Sequence, residues 1–62
     1  MERFLIVGGD RSGAALLRVL DQMDRVKVIG VVDRDPRAPA LVEARNRGIP
    51  VGTDPEPFLI PL

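Results

Sequence analysis

The residues best suited to chemistry in this 62-residue chain lie in one short segment, Val7-Gly8-Gly9-Asp10-Arg11-Ser12-Gly13. Aligned with G-x-G-x-x-G, Gly8 is the first glycine and Gly13 is the third. The first glycine permits a tight turn, and the third permits close packing of a helix on a strand. Backbone N–H groups between them can bind a pyrophosphate at the start of a helix. The predicted binding residues of this loop are Gly8, Gly9, Asp10, Arg11, Ser12 and Gly13.

Asp10 departs from the pattern, because a glycine normally stands there and lets the backbone approach the pyrophosphate. Its side chain adds bulk and a negative charge at the place where an anion should bind. Gly9 offsets part of the bulk by giving the loop freedom, and Arg11 offsets the charge. Without a ligand, Gly8 and Gly9 form only a tight turn, and Ser12 is only a hydroxyl at the start of a helix.

A second candidate group, Asp33, ends a β-branched run 20 residues after Gly13. In nucleotide-binding sheets, an acid at this place accepts hydrogen bonds from the adenosine ribose. It favours NAD over NADP, because a 2′-phosphate would meet a carboxylate, whereas the neighbouring Arg34 would bind that phosphate. The alternatives are that Asp33 caps the next segment and that the arginines form a solvated face. That face would consist of Arg34, Arg37, Arg45 and Arg47.

Apolar spacing predicts the elements that position the glycine loop. Residues 4–7 are a short apolar run, typical of a parallel strand that is buried on both faces. Residues 11–23 carry apolar side chains at helical spacing, so the loop joins a strand to an amphipathic helix. One broad apolar core stripe is predicted on that helix, with Leu16, Leu20 and Met23 along it and Gly13 and Leu17 beside them.

The rest of the chain repeats the alternation of strand and helix. Residues 26–32 are strongly β-branched and predict a second buried strand. The second helix starts either at Pro36, with Asp35 as its N-cap, or later at Pro39. Residues 49–51 predict a short third strand, at an edge of the sheet because its proline cannot donate to a ladder.

This order predicts an α/β fold, because β-α-β-α-β units join parallel strands through helical crossovers. We expect a Rossmann-like half-domain with a three-stranded parallel sheet in the order 3-2-1. Residues 1–62 are predicted to form one partial dinucleotide-binding domain, with 55–62 as an irregular tail. The first strand then has an open edge, and pairing of two copies through it, or through the helix faces, predicts a homodimer.

Composition excludes several functions. The chain has no Cys, His, Trp or Tyr, which removes cysteine nucleophiles, Ser–His–Asp triads and the usual zinc ligands. We therefore predict no catalytic residue and no metal site. Zero net charge and only two phenylalanines argue against nucleic acid as a partner. No apolar run approaches the ~20 residues of a membrane span, and no secretory leader is evident, so we expect a cytoplasmic protein.

Several segments together resemble a known family. The segments are 4–13, 31–36, 44–45, 48–50 and 53–54, and they are similar to the N-terminal NAD(P)-binding Rossmann domain of the glucose–fructose oxidoreductase and inositol dehydrogenase type. Homoserine-dehydrogenase-like domains, and NAD-binding-like domains attached to some bacterial signalling kinases, are similar too. The resemblance places the family's loop glycines at Gly8 and Gly13 and its ribose-binding acid at Asp33. It implies weak binding of NAD, or of NADP.

The sequence permits three functions. In the family, a fourth strand and a substrate domain with a catalytic Lys or His follow, so the resemblance implies a cofactor-binding half of an oxidoreductase that is not catalytic alone. The second possibility is a regulatory or self-associating module in which Asp10 has abolished nucleotide binding. The third is a binder of another adenosine ligand, such as S-adenosylmethionine or coenzyme A, which the loop and Asp33 also permit.

Overall fold

The structure is a computed structural model that describes residues 1–59. It confirms an α/β fold with a parallel sheet of three strands and helices between them. In chain order, the elements are β1 (Glu2–Val7), α1 (Arg11–Asp21), β2 (Val26–Val32), α2 (Pro39–Asn46), β3 (Val51–Gly52) and α3 (Glu56–Leu59). No helix within residues 1–59 has the length and apolar character that crossing a membrane requires.

The strands lie in the order β1-β2-β3, which puts β2 in the centre of the sheet. The prediction gives the order as 3-2-1; the order in the structure is β1-β2-β3. Phe4 pairs with Val28 but Leu5 pairs with Gly30, so Ile29 is an extra residue in β2. This bulge lets Val28 and Val31 both contribute to the core cluster.

The core lies on one face of the sheet, where α1 and α2 pack on β2 and against each other. It consists of buried residues of the sheet together with those on the buried sides of both helices. Its larger members are Ile6, Leu17, Leu20, Val28, Val31 and Leu41. Alanines fill the space between the helices, because small side chains allow them to approach closely, and these are Ala14, Ala40 and Ala44.

The prediction that β1 is buried on both faces is wrong. Ile6 is buried, but Val7 is 65% exposed and Phe4 is exposed as well. The reason is that β1 is an edge strand and that both longer helices cover the same face of the sheet. An apolar run reports the tendency of a strand to be buried, whereas its actual burial depends on what covers it.

Of the three residues along the predicted core stripe of α1 only Leu20 is buried, whereas Gly13 and Leu17, predicted beside them, are both buried. Leu16 is 48% exposed and Met23 is 50% exposed, while Leu17 is fully buried. The helix is rotated so that its side with Gly13 and Leu17 faces the core. Because α1 ends at Asp21, Met23 lies beyond the helix and does not extend its buried side.

Two further elements differ in detail from the predictions. The second helix takes the later start, at Pro39, and its N-cap Ala38 provides no side-chain cap. The tail predicted to be irregular includes the one-turn helix α3, whose Phe58 ring packs on Gly30 in the centre of the sheet. The part of the predicted tail at residues 60–62 lies outside the described residues.

Candidate functional site

The glycine loop lies where β1 ends and α1 begins, at the carboxyl edge of the parallel sheet. Gly8 makes the turn with a φ of +105°, a conformation that other residues rarely adopt. Its N–H donates to the carbonyl of Val32 (2.8 Å), which ties the turn to the end of β2. A Cβ added at Gly8 would meet nothing within 4 Å, so this part of the backbone is open to an approaching ligand.

Gly13 brings α1 against the turn. A Cβ at this position would lie 2.1 Å from the Gly8 carbonyl oxygen, a separation that no side chain permits. The first and third glycines therefore have the geometric roles expected of them, since one makes the turn and the other lets the helix approach it.

Gly9 is restricted by close packing, which sequence reasoning missed. A Cβ there would lie 2.9 Å from Leu41 Cδ1 and 3.1 Å from Ala38 Cβ. The Gly9 carbonyl also accepts a hydrogen bond from the N–H of Ala40 (2.8 Å). The loop is thus joined to the first turn of α2. We conclude that Gly9 permits close packing of the loop on α2 more than it makes the loop flexible.

Asp10 is the N-cap of α1. Its Oδ1 accepts a hydrogen bond from the Gly13 N–H (3.1 Å), and its carbonyl accepts one from Ala14 (2.9 Å). A carboxylate at this place satisfies an unpaired helix donor and is favoured by the helix dipole. Asp10 therefore stabilises the start of α1, and it does so with an N–H group that lies where a pyrophosphate is expected to bind.

Asp33 joins the end of β2 to the glycine loop. Its Oδ2 accepts a hydrogen bond from the Gly9 N–H (2.6 Å), and its Oδ1 accepts one from the Asp35 N–H (2.8 Å). These bonds, that from Asp35 first and that from Gly9 second, lower the pKa of Asp33 below its ordinary value of 3.8. The bond from Asp35 closes a turn directly after β2, whereas the N-cap of α2 is Ala38, and the bond from Gly9 adds a link across 24 residues.

The remaining predicted site residues are exposed. Arg11 and Ser12 lie in the first turn of α1, and Arg34 follows Asp33. The expected solvated face of arginines is only partly found, because Arg45 donates to the Pro36 carbonyl and Arg47 pairs with Asp21.

Two open depressions flank the glycine loop and share Val7 and Gly8. One, of about 570 Å³, extends along β1 and α1 past Ser12 to Leu16. The other, of about 390 Å³, lies between the strand ends and is lined by Asp33, Arg34, Thr53 and Pro55. The structure thus brings the loop and Asp33 together at one edge. Thr53 and Pro55 also line this depression, which we did not predict. They lie there because they follow β3, which pairs with β2.

Within residues 1–59, no group of three or more acidic side chains is arranged to hold a metal ion. Comparison of the chain with protein-family models, with curated proteins and with solved structures gives no match. The geometry of the carboxyl edge is therefore the basis for a functional proposal.

Proposed function

We propose that the chain binds the adenosine diphosphate half of a nicotinamide dinucleotide, as the cofactor-binding half of an oxidoreductase-type Rossmann domain. The observation that carries the proposal is the 2.6 Å hydrogen bond from the Gly9 N–H to Asp33 Oδ2. It holds the candidate ribose-binding acid beside the glycine turn. In open parallel sheets, ligands bind outside the carboxyl ends of the strands, which is where these residues lie.

Asp33 keeps the capacity to bind a ribose. Each of its oxygens accepts one backbone hydrogen bond, and an ionised carboxylate has about four lone-pair sites. Asp33, whose pKa lies below its ordinary value, is ionised at neutral pH and so acts only as an acceptor for the ribose hydroxyls. Its charge would repel a 2′-phosphate, which favours NAD over NADP, while the exposed Arg34 would reduce that preference.

The turn and the first turn of α1 suit a pyrophosphate in shape. Gly8 leaves its surroundings open, and the N–H groups of Arg11 and Ser12 have no backbone acceptor among the described residues. Such groups, at the positive end of a helix dipole, attract anions. Hydride transfer would be the chemistry of the nicotinamide itself, and the residues of this chain would only bind and orient the adenosine side.

Titration of the ¹⁵N-labelled chain with ADP-ribose, NAD and NADP tests the proposal. We expect amide shifts at Gly8, Gly9 and Ser12 at millimolar ligand, with NAD bound more tightly than NADP. Asp33→Ala should weaken ADP-ribose binding, whereas Asp24→Ala, which removes a carboxylate before β2 at the opposite edge, should not. A folded chain whose amides do not shift at millimolar ADP-ribose would refute the proposal.

The N-cap of α1 favours a second candidate function, a regulatory or self-associating module without nucleotide binding. Because Asp10 Oδ1 accepts the Gly13 N–H, a carboxylate of the protein uses a donor that a phosphate would need. Asp10→Gly separates the two candidates, since glycine at an N-cap costs only a few tenths of a kcal/mol. A gain in affinity means that Asp10 opposes binding, while no binding by either form favours the module.

A further inference from the structure

The two edges of the sheet differ in how well they are protected. β3 pairs over only two residues and follows Pro50, so it offers little backbone for another strand. β1 is six residues long, contains no proline, and keeps its own regular geometry because the bulge lies in β2. Natural edge strands usually carry such protective features. In β1 only the first two residues, Glu2 and Arg3, are charged, so residues 4–7 remain as a surface for strand pairing.

The backbone groups that point outward from β1 can be identified. The N–H groups of Glu2 and Gly8 donate to carbonyls on the β2 side, so by alternation the even-numbered residues of β1 face β2. Arg3, Leu5 and Val7 therefore direct their N–H and carbonyl groups to the open edge. An antiparallel strand centred on Leu5 would pair each of them, Leu5 with its own counterpart and Arg3 with Val7.

A stripe on α1 continues this surface beyond the strand. Leu16 and Val19 are 48% and 59% exposed, and the uncharged Ser12 extends the same side by one helical turn. The charged side of α1 faces α2 instead, where Arg18 pairs with Glu43. Leu16 and β1 line the same depression, so the uncharged stripe and the open edge form one face, which we call the β1–α1 face.

We propose that a second copy of this chain docks on the β1–α1 face, with the two β1 strands antiparallel and centred on Leu5. A stable interface buries at least about 1,000 Å² in total, more than a short edge strand supplies, so the α1 stripe must take part. A two-fold axis beside β1 achieves this, because it turns the two α1 stripes towards each other. A lone strand from another protein would leave the stripe uncovered.

Distances across such an axis agree with helix packing. Neighbouring strands are about 4.8 Å apart, and α1 packs on both β1 and β2. The two α1 axes would then be separated by about two strand spacings, or roughly 10 Å, close to the 8–10 Å of packed helices. Charge does not oppose the contact, since the net charge of the chain is zero and the α1 stripe is uncharged. The inference is independent of nucleotide binding at the glycine loop.

Sedimentation equilibrium of the chain from micromolar to millimolar concentration tests the dimer. Val19→Lys should weaken dimerisation by about tenfold or more, because it places a charge in an apolar contact. Val42→Lys is the matched control, since Val42 is a 46% exposed valine on α2, away from the β1–α1 face, and should leave the dissociation constant unchanged.

Amide spectra provide a second measurement that does not depend on a variant. On dilution, the signals of Arg3, Leu5 and Val7 should shift, and those of Phe4 and Ile6 should shift less. A chain that is monomeric at millimolar concentration would overturn the proposal. So would a dimer that Val19→Lys and Val42→Lys weaken equally, or one whose dilution shifts lie outside β1 and α1.

Discussion

Replacement of Gly13 by alanine tests whether the contact between α1 and the turn is as tight as the structure indicates. Two effects of the added methyl group oppose each other. Alanine is the better helix former by about 1 kcal/mol, which would stabilise α1. Its Cβ, however, would lie 2.1 Å from the Gly8 carbonyl oxygen, about 1.3 Å closer than the 3.4 Å at which ordinary contact begins.

The cost of the clash should exceed the gain in helix propensity, because the backbone fixes the positions of both the added Cβ and the Gly8 carbonyl, and neither can rotate away. Overpacking typically costs about 1–3 kcal/mol, and a backbone clash belongs at the upper end of that range. After the gain in helix propensity, a net loss of about 2 kcal/mol in the free energy of unfolding remains. That is a large part of the roughly 3–9 kcal/mol expected for a chain of this length.

Urea unfolding followed by far-ultraviolet circular dichroism measures this loss, since the chain has no Trp or Tyr for fluorescence. With an m-value near 1 kcal/mol/M, typical of small domains, the midpoint should fall by about 2 M. Ala15→Gly, at an exposed position of α1, measures helix propensity alone and should lower the midpoint by about 1 M. A Gly13→Ala midpoint equal to or above the wild-type value would show that the contact is not tight.

Two further predictions concern the glycine loop and the tail. Because the folded-state pKa of Asp33 is lowered, its stabilising effect is complete above pH 3.8 and is lost as the pH falls through the folded-state pKa. The difference in unfolding free energy between wild type and Asp33→Ala should therefore shrink below about pH 4 in acid titrations, and a constant difference would contradict the assigned bonds. Gly30→Ala should displace the Phe58 ring, because the added Cβ would lie 2.4 Å from it. The loss in unfolding free energy should be at most about 1 kcal/mol, since the Phe58 side chain can move. A Phe58 ring spectrum identical to wild type would count against this contact.

The order of elements could be predicted because it depends on local signals. The glycines stop β1, β-branched residues define β2, and a proline begins α2, although the sequence leaves both Pro36 and Pro39 open as its start. The roles of Gly8 and Gly13 were predictable for the same reason, since a strand-to-helix turn makes the same steric demands wherever it occurs.

The exposed and buried sides of these elements could not be predicted from local signals. The choice of Leu17 rather than Leu16 for the core depends on the rotation of α1, which the contact of Gly13 with Gly8 helps to set. The burial of β1 depends on what lies beside it in the sheet. The bond between Asp33 and Gly9 requires the register of β1 against β2, which a bulge at Ile29 shifts.

Asp10 in the glycine loop and Asp33 beside it differ in which hydrogen bonds a ligand would have to displace, and this difference leads to a final prediction. Asp33 is an acceptor with unused lone pairs, so the proposed ribose would not have to break its hydrogen bonds. The Gly13 N–H is a donor with one hydrogen, already bonded to Asp10, so a phosphate oxygen must replace that carboxylate to use it. Asp10→Gly should therefore strengthen ADP-ribose binding by about tenfold and leave adenosine binding unchanged. Asp24→Gly controls for net charge, and an equal gain for both ligands would show that Asp10 does not act on the phosphates.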